Sequence, residues 1–146
     1  MRVLNPTFLA MALALLAAGC KQDSATEQAA AGAAKAELDA EGFPAGPYAD
    51  RDPALAKQLV EAGAVVLDVR TPGEYEGGHL EGAVNIDHRE VEARMAEIRA
   101  LAGDDLHKPV VLYCRSGRRA DLVKAQLEAA GFDRVTNLGG IKDYPG

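Results

Sequence analysis

Pro109-Val110-Val111-Leu112-Tyr113-Cys114-Arg115-Ser116-Gly117-Arg118-Arg119 changes character half-way. Val110 to Tyr113 is apolar without alternation, the pattern of a strand buried on both faces. From Ser116 to Ala130 the apolar residues Ala120, Val123, Leu127 and Ala130 fall on one helical stripe, and Gly131 ends it. A buried strand leading straight into a helix is part of a parallel unit. Upstream, Ala64–Val69 and Ala83–Ile86 are short strand-like runs, and Val135–Leu138 is a last one downstream. Asp52 and Pro53 open a helix carrying Leu55, Leu59 and Ala62, closed by Gly63. Asp87 and Glu90 have capping-box spacing and predict a helix start, with Val91, Met95, Ile98 and Leu101 or Ala102 on its face. The expected fold is α/β, a mainly parallel sheet covered by helices, over residues 52–146. In such sheets ligands bind beyond the carboxyl ends of the strands, where Cys114 stands.

Cys114 faces the start of the helix that follows it, where unpaired N–H groups and the helix dipole favour negative charge. Gly117 lets successive N–H groups turn toward one centre. Arg115, Arg118 and Arg119 add positive potential. Each effect favours the thiolate, so Cys114 is expected to have a depressed pKa and to act as a nucleophile. A small buried hydrophobe at a strand end is the plainer alternative for a lone cysteine.

The whole chain narrows the options. It has 146 residues, 48% hydrophobic, with 16 Lys and Arg against 22 Asp and Glu and a net charge of −6. One ordinary domain fits this length, and the acidic balance argues against general nucleic-acid binding. Three arginines within five residues of an acidic domain point to a small anion, or else to a solvated loop. Two cysteines exclude a disulfide-stapled scaffold, and His79, His88 and His107 lack metal-ligand spacing. No metal and no cofactor are expected.

The N-terminus has the organisation of an export signal over residues 1–19. Arg2 is followed by an uncharged run from Thr7 to Gly19, too short for a confident membrane span and closed by small residues. Leu16-Ala17-Ala18-Gly19-Cys20 resembles the bacterial lipobox, with Ala17 where that motif usually has Leu. The resemblance implies lipidation at Cys20 and a membrane anchor, the protein being exported to the periplasm or cell envelope. Residues 20–51, poor in large apolar side chains, are expected to form a flexible linker after that cysteine.

Cys114–Arg119 resembles the six-residue active-site loop of rhodaneses, Cys-x-x-Gly-x-Arg. Leu67-Asp68-Val69-Arg70 with Glu74-Tyr75, Gly78-His79-Leu80 and Gly82-Ala83-Val84-Asn85-Ile86 is similar to the upstream signature of that family. Val135-Thr136-Asn137-Leu138-Gly139-Gly140-Ile141 is similar to the downstream one. The resemblance implies a rhodanese-like domain over 52–146, with helices on both faces of its sheet. It also implies a persulfide formed on Cys114 from an anionic donor such as thiosulfate and passed to cyanide or a thiol. On this view Arg115, Ser116, Gly117, Arg118 and Arg119 bind the substrate. Asp68, Arg70 and Glu74 support the site, Arg70 and Glu74 most simply as an ion pair. His79 is expected to be a hydrogen-bonded turn residue. Gly139 and Gly140 are expected to allow backbone close to the loop.

Two positions depart from the family pattern: Tyr144 stands near where members often carry Trp, and Ala120 where many have Ser. A phosphatase or arsenate reductase of the same fold would use a loop one residue longer, with arginine six positions after the cysteine; that position is Ala120 here. A persulfide or redox sensor would use the same cysteine without sustained turnover, whereas a partner-binding envelope module of this resemblance would do without it.

Overall fold

Alternation along the strands divides the core in two. The computed structural model describes residues 37–146. Its strands are β1 (Val65–Asp68), β2 (Val84–Asn85), β3 (Val110–Cys114) and β4 (Val135–Gly140). They form one parallel sheet in the order β2-β1-β3-β4. Leu67, Val110, Leu112 and Cys114 point to one side and pack with Ile98, Val123 and Leu127. Val66, Val111 and Tyr113 point to the other and meet Phe43, Ala56 and Leu59. Successive side chains of a strand face opposite ways, so a sheet buried on both faces needs the uninterrupted apolar runs seen here.

The helices are α1 (Pro53–Glu61), α2 (Pro72–Glu76), α3 (Met95–Leu101) and α4 (Arg118–Ala129), and a 3₁₀ turn follows at Ile141–Asp143. Helix α1 covers one face, and α3 and α4 cover the other. Asp52 caps α1 by accepting the N–H groups of Ala54 and Leu55, and Pro53 takes the first helical position. The expected α/β architecture, with helices on both sheet faces, is the one observed.

Two local expectations are corrected. Asp87 does not open a capping box with Glu90. Its carboxylate accepts the Arg89 N–H and binds the Arg89 guanidinium at 2.6 and 3.0 Å, so the following residues form turns and α3 begins only at Met95. A capping box forms elsewhere, at α2, where Thr71 and Glu74 exchange hydrogen bonds ahead of Pro72 at the first helical position.

The second correction concerns the linker, whose part up to residue 36 lies outside the described residues, as do the expected signal segment and Cys20. Residues 37–51 are a strap packed on the domain. Leu38 bridges Pro44, and Phe43 (1% exposed) and Tyr48 are buried against α1 and the sheet. Asp39 pairs with Arg134, and the Thr136 hydroxyl donates to the Ala49 carbonyl at 2.8 Å. The segment is poor in large apolar residues, but two well-placed aromatic rings are enough to seat it.

Candidate active site

Cys114 ends β3, and residues 115–117 carry the chain into α4. Its side chain is 1% exposed, and its Sγ accepts the Gly117 N–H at 3.1 Å. The first hydrogen bond of α4 runs from the Asp121 N–H to the Gly117 carbonyl at 2.9 Å, which leaves the N–H groups before it without a helical partner. Burial pushes the Cys114 thiol up. The N–H groups of Ser116, Ala120, Arg119 and Gly117 act the other way and prevail, so the thiol lies below its ordinary value. The expected depression is therefore present, and backbone donors provide most of it.

The loop needs glycine on both sides. Gly117 has φ +84°, and a Cβ on it would lie 3.1 Å from the Gly139 Cα. A Cβ on Gly140 would lie 2.7 Å from the Arg115 carbonyl oxygen. Gly139 and Gly140 thus let β4 run beside the loop, as expected. Between Leu112 and Tyr113 the β3–β4 register skips Leu138, a bulge that brings Gly139 opposite Tyr113 and Gly140 opposite Cys114.

The arginines divide into two kinds. Arg119 is held by Glu74 through two hydrogen bonds of 2.7 and 2.8 Å, and this pairing raises the Arg119 pKa. Arg115 and Arg118 are exposed, as is Ser116, and neither arginine has an ion pair among the described residues.

The expected pair of Arg70 with Glu74 does not form. Arg70 folds back onto Asp68 (0% exposed), with contacts from 2.5 to 3.0 Å, and also donates to the Gly78 carbonyl at 2.6 Å. Asp68 is the nearer acid and is buried, so it takes the guanidinium. Glu74 is oriented by its capping box with Thr71 and reaches α4 instead. Asp68 and Arg70 therefore brace the β1 end and the 70–78 segment, whereas Glu74 touches the loop through Arg119.

The Rhodanese-like domain family model matches residues 52–145. The chain belongs to the rhodanese-like family. The rhodanese-like domain is 39% identical over 77 residues to thiosulfate sulfurtransferase PspE of Escherichia coli (strain K12), spanning 53% of this chain and 70% of that protein. It is 37% identical over 90 residues to a tRNA uridine(34) hydroxylase of Listeria monocytogenes, where the match spans 59% of this chain but 27% of the relative. A solved structure described as a rhodanese with anions from E. coli superposes with a TM-score of 0.50 at 36% identity, covering 57% of this chain and 95% of that one.

Three further residues of the rhodanese-like domain were singled out in the sequence. His79 Nδ1 lies 3.0 Å from the Tyr75 carbonyl and its ring stacks on Tyr75, so it is hydrogen-bonded as expected, in the segment just past α2. Ala120 is buried in the α4 core, and Tyr144 packs against the opposite half of the core. Sequence reasoning missed Asn137, Asp121 and Asp143. Asn137 contacts Gly117, and Asp143 accepts the Gly140 N–H at 2.7 Å. Asn137 lay within a quoted motif, but no local pattern singles out an asparagine inside a strand.

Proposed function

We propose that this protein is a sulfurtransferase in which Cys114 carries sulfur as a persulfide. The Cys114 thiolate attacks the outer sulfur of thiosulfate; the S–S bond of the donor breaks and sulfite leaves with its electron pair. Cyanide or a thiolate then attacks the outer sulfur of the persulfide, and the Cys114 thiolate leaves. One transfer is thereby split into two steps. Arg115 and Arg118 draw in the anionic donor, Arg119 is fixed beside the cysteine by Glu74, and the loop N–H groups stabilise charge on sulfur. The observation that carries this reading is the buried Cys114 Sγ facing the N–H groups at the start of α4, with its thiol held below the ordinary value.

The test measures sulfite released from thiosulfate and cyanide by the full chain carrying Cys20→Ser, beside the same chain with Cys114→Ala. Sustained release that disappears in the Cys114→Ala protein, with one sulfur atom added to Cys114 in a sample stalled without acceptor, is expected. A single equivalent followed by arrest would overturn turnover in favour of sensing.

The proposal extends to location: export by the N-terminal signal and anchoring in a membrane of the cell envelope through lipid on Cys20. Stable anchoring takes more than a single acyl chain, since one alone binds only marginally. Radiolabelled palmitate should enter the chain in a bacterial host and be lost with Cys20→Ser.

A further inference from the structure

We propose that the buried carboxamide of Asn137 is a positioning residue for Cys114, clamping Gly117 of the loop to Gly139 of β4, and that Asp50 and Arg51 of the strap hold Asn137 in place. Asn137 is 0% exposed and uses its polar groups on both sides. Its Nδ2 donates to the Gly117 carbonyl at 2.9 Å and to Asp121 Oδ1 at 2.5 Å, and its Oδ1 accepts the Gly139 N–H at 2.8 Å. A carbonyl can only accept and a backbone N–H only donate, so the contacts fix which way the amide faces. Asp50 Oδ1 accepts the Asn137 N–H at 2.9 Å, and the Asn137 carbonyl accepts the Arg51 N–H at 2.7 Å.

The consequence lies at Gly117. Its carbonyl is held by Asn137 and by the Asp121 N–H, while its own N–H reaches Cys114 Sγ. With φ at +84°, this glycine has a backbone freedom that other residues lack, and something must select one conformation. The Asn137 clamp does so from the β4 side. The strap reaches the same place from outside: Arg51 pairs with Asp121 at 3.2 Å, and its Nη2 is 3.4 Å from where a Gly117 Cβ would stand. Lys124 of α4 holds Asp50 at 2.7 Å.

This rests on Cys114 being the reacting group. Alkylation by iodoacetamide reads its thiolate whether or not thiosulfate is the donor, so failure here is distinct from a failure of sulfite release. The test uses the full chain with Cys20→Ser and adds Asn137→Ala, Asn137→Ser or Asp50→Ala. Arg115, Arg118, and Arg119 with its partner Glu74, remain in every variant. Asn137→Ala should move the pH profile of Cys114 alkylation upward, so that the rate at neutral pH falls about tenfold. Its kcat for thiosulfate should fall by about as much, with KM changed less than about twofold. Asn137→Ser, which keeps one donor, should recover part of the loss, and Asp50→Ala should shift the profile the same way by a smaller factor. Folded Asn137→Ala with an unchanged alkylation profile would overturn the proposal. If neither Asn137 variant folds, the Asn137 side-chain amide resonances decide it in the chain carrying only Cys20→Ser. They should shift at the midpoint of the Cys114 titration, and their failure to move would equally overturn it.

Discussion

Glu74 shows how one side chain joins two elements. Its carboxylate is held near 2 by the Arg119 guanidinium first, against the opposing effect of burial, with the Thr71 N–H and hydroxyl also favouring the charge. Because the folded-state pKa is depressed, the stabilisation is complete above the ordinary carboxylate value. It fades as pH falls from about 4.5 toward 2. Glu74→Gln should therefore cost about 1 kcal/mol at neutral pH, the scale of a partly exposed pair. The difference from the unaltered protein, read from urea midpoints, should shrink across that acid window. The same substitution frees Arg119 to leave the cysteine, so kcat/KM for thiosulfate should drop by about tenfold.

At the scale of elements, the junction of β3 with α4 is the demanding feature. Gly117 must adopt a left-handed conformation with Gly139 packed against it, and β4 must bulge at Leu138 to bring the two glycines alongside. Gly117→Ala would place a methyl group 3.1 Å from the Gly139 Cα and add the left-handed penalty of about 1–2 kcal/mol. The loop should yield before the sheet does. Thermal melting should show a modest loss of stability, while sulfite release falls about a hundredfold as the N–H groups leave the sulfur. Equal, small losses in both measurements would mean that the loop tolerates the change.

Across the whole molecule, the strap makes the domain larger than the family match. Residues 37–51 reach α1, α4 and β4, and Phe43 fills the half of the core on the α1 face. Phe43→Ala in the full chain should cost about 3–5 kcal/mol, as large-to-small changes at buried aromatic positions do. That corresponds to a fall in Tm of roughly 10 °C or more for a domain of this size. A change near zero would mean that the strap rests on the surface and that the α1 half of the core closes without it. The strap also contacts Asn137 and lies against Gly117, so the segment entering the domain is mechanically part of the site.

Much of this protein was legible along the chain. The strand-to-helix passage at Cys114, the glycine that permits it, the four strands and the cap at Asp52 depend on neighbours a few residues apart. Propensity, periodicity and cap chemistry are local, so sequence carries them directly. The motifs around Asp68, Cys114 and Gly139 added the family and its active-site loop. Only the tertiary structure decided which acid each arginine meets: Arg70 chose Asp68 because that carboxylate is buried within reach, and Glu74 was left to Arg119. It also decided that Phe43 and Tyr48 seat a segment whose composition resembles a tether, and that Asn137 joins the loop to β4. Apart from Arg70 with Asp68, two positions apart, these contacts link residues from 20 to nearly 90 positions apart. Folding must bring such partners together before burial and hydrogen bonding can choose between them, and no local pattern records that choice.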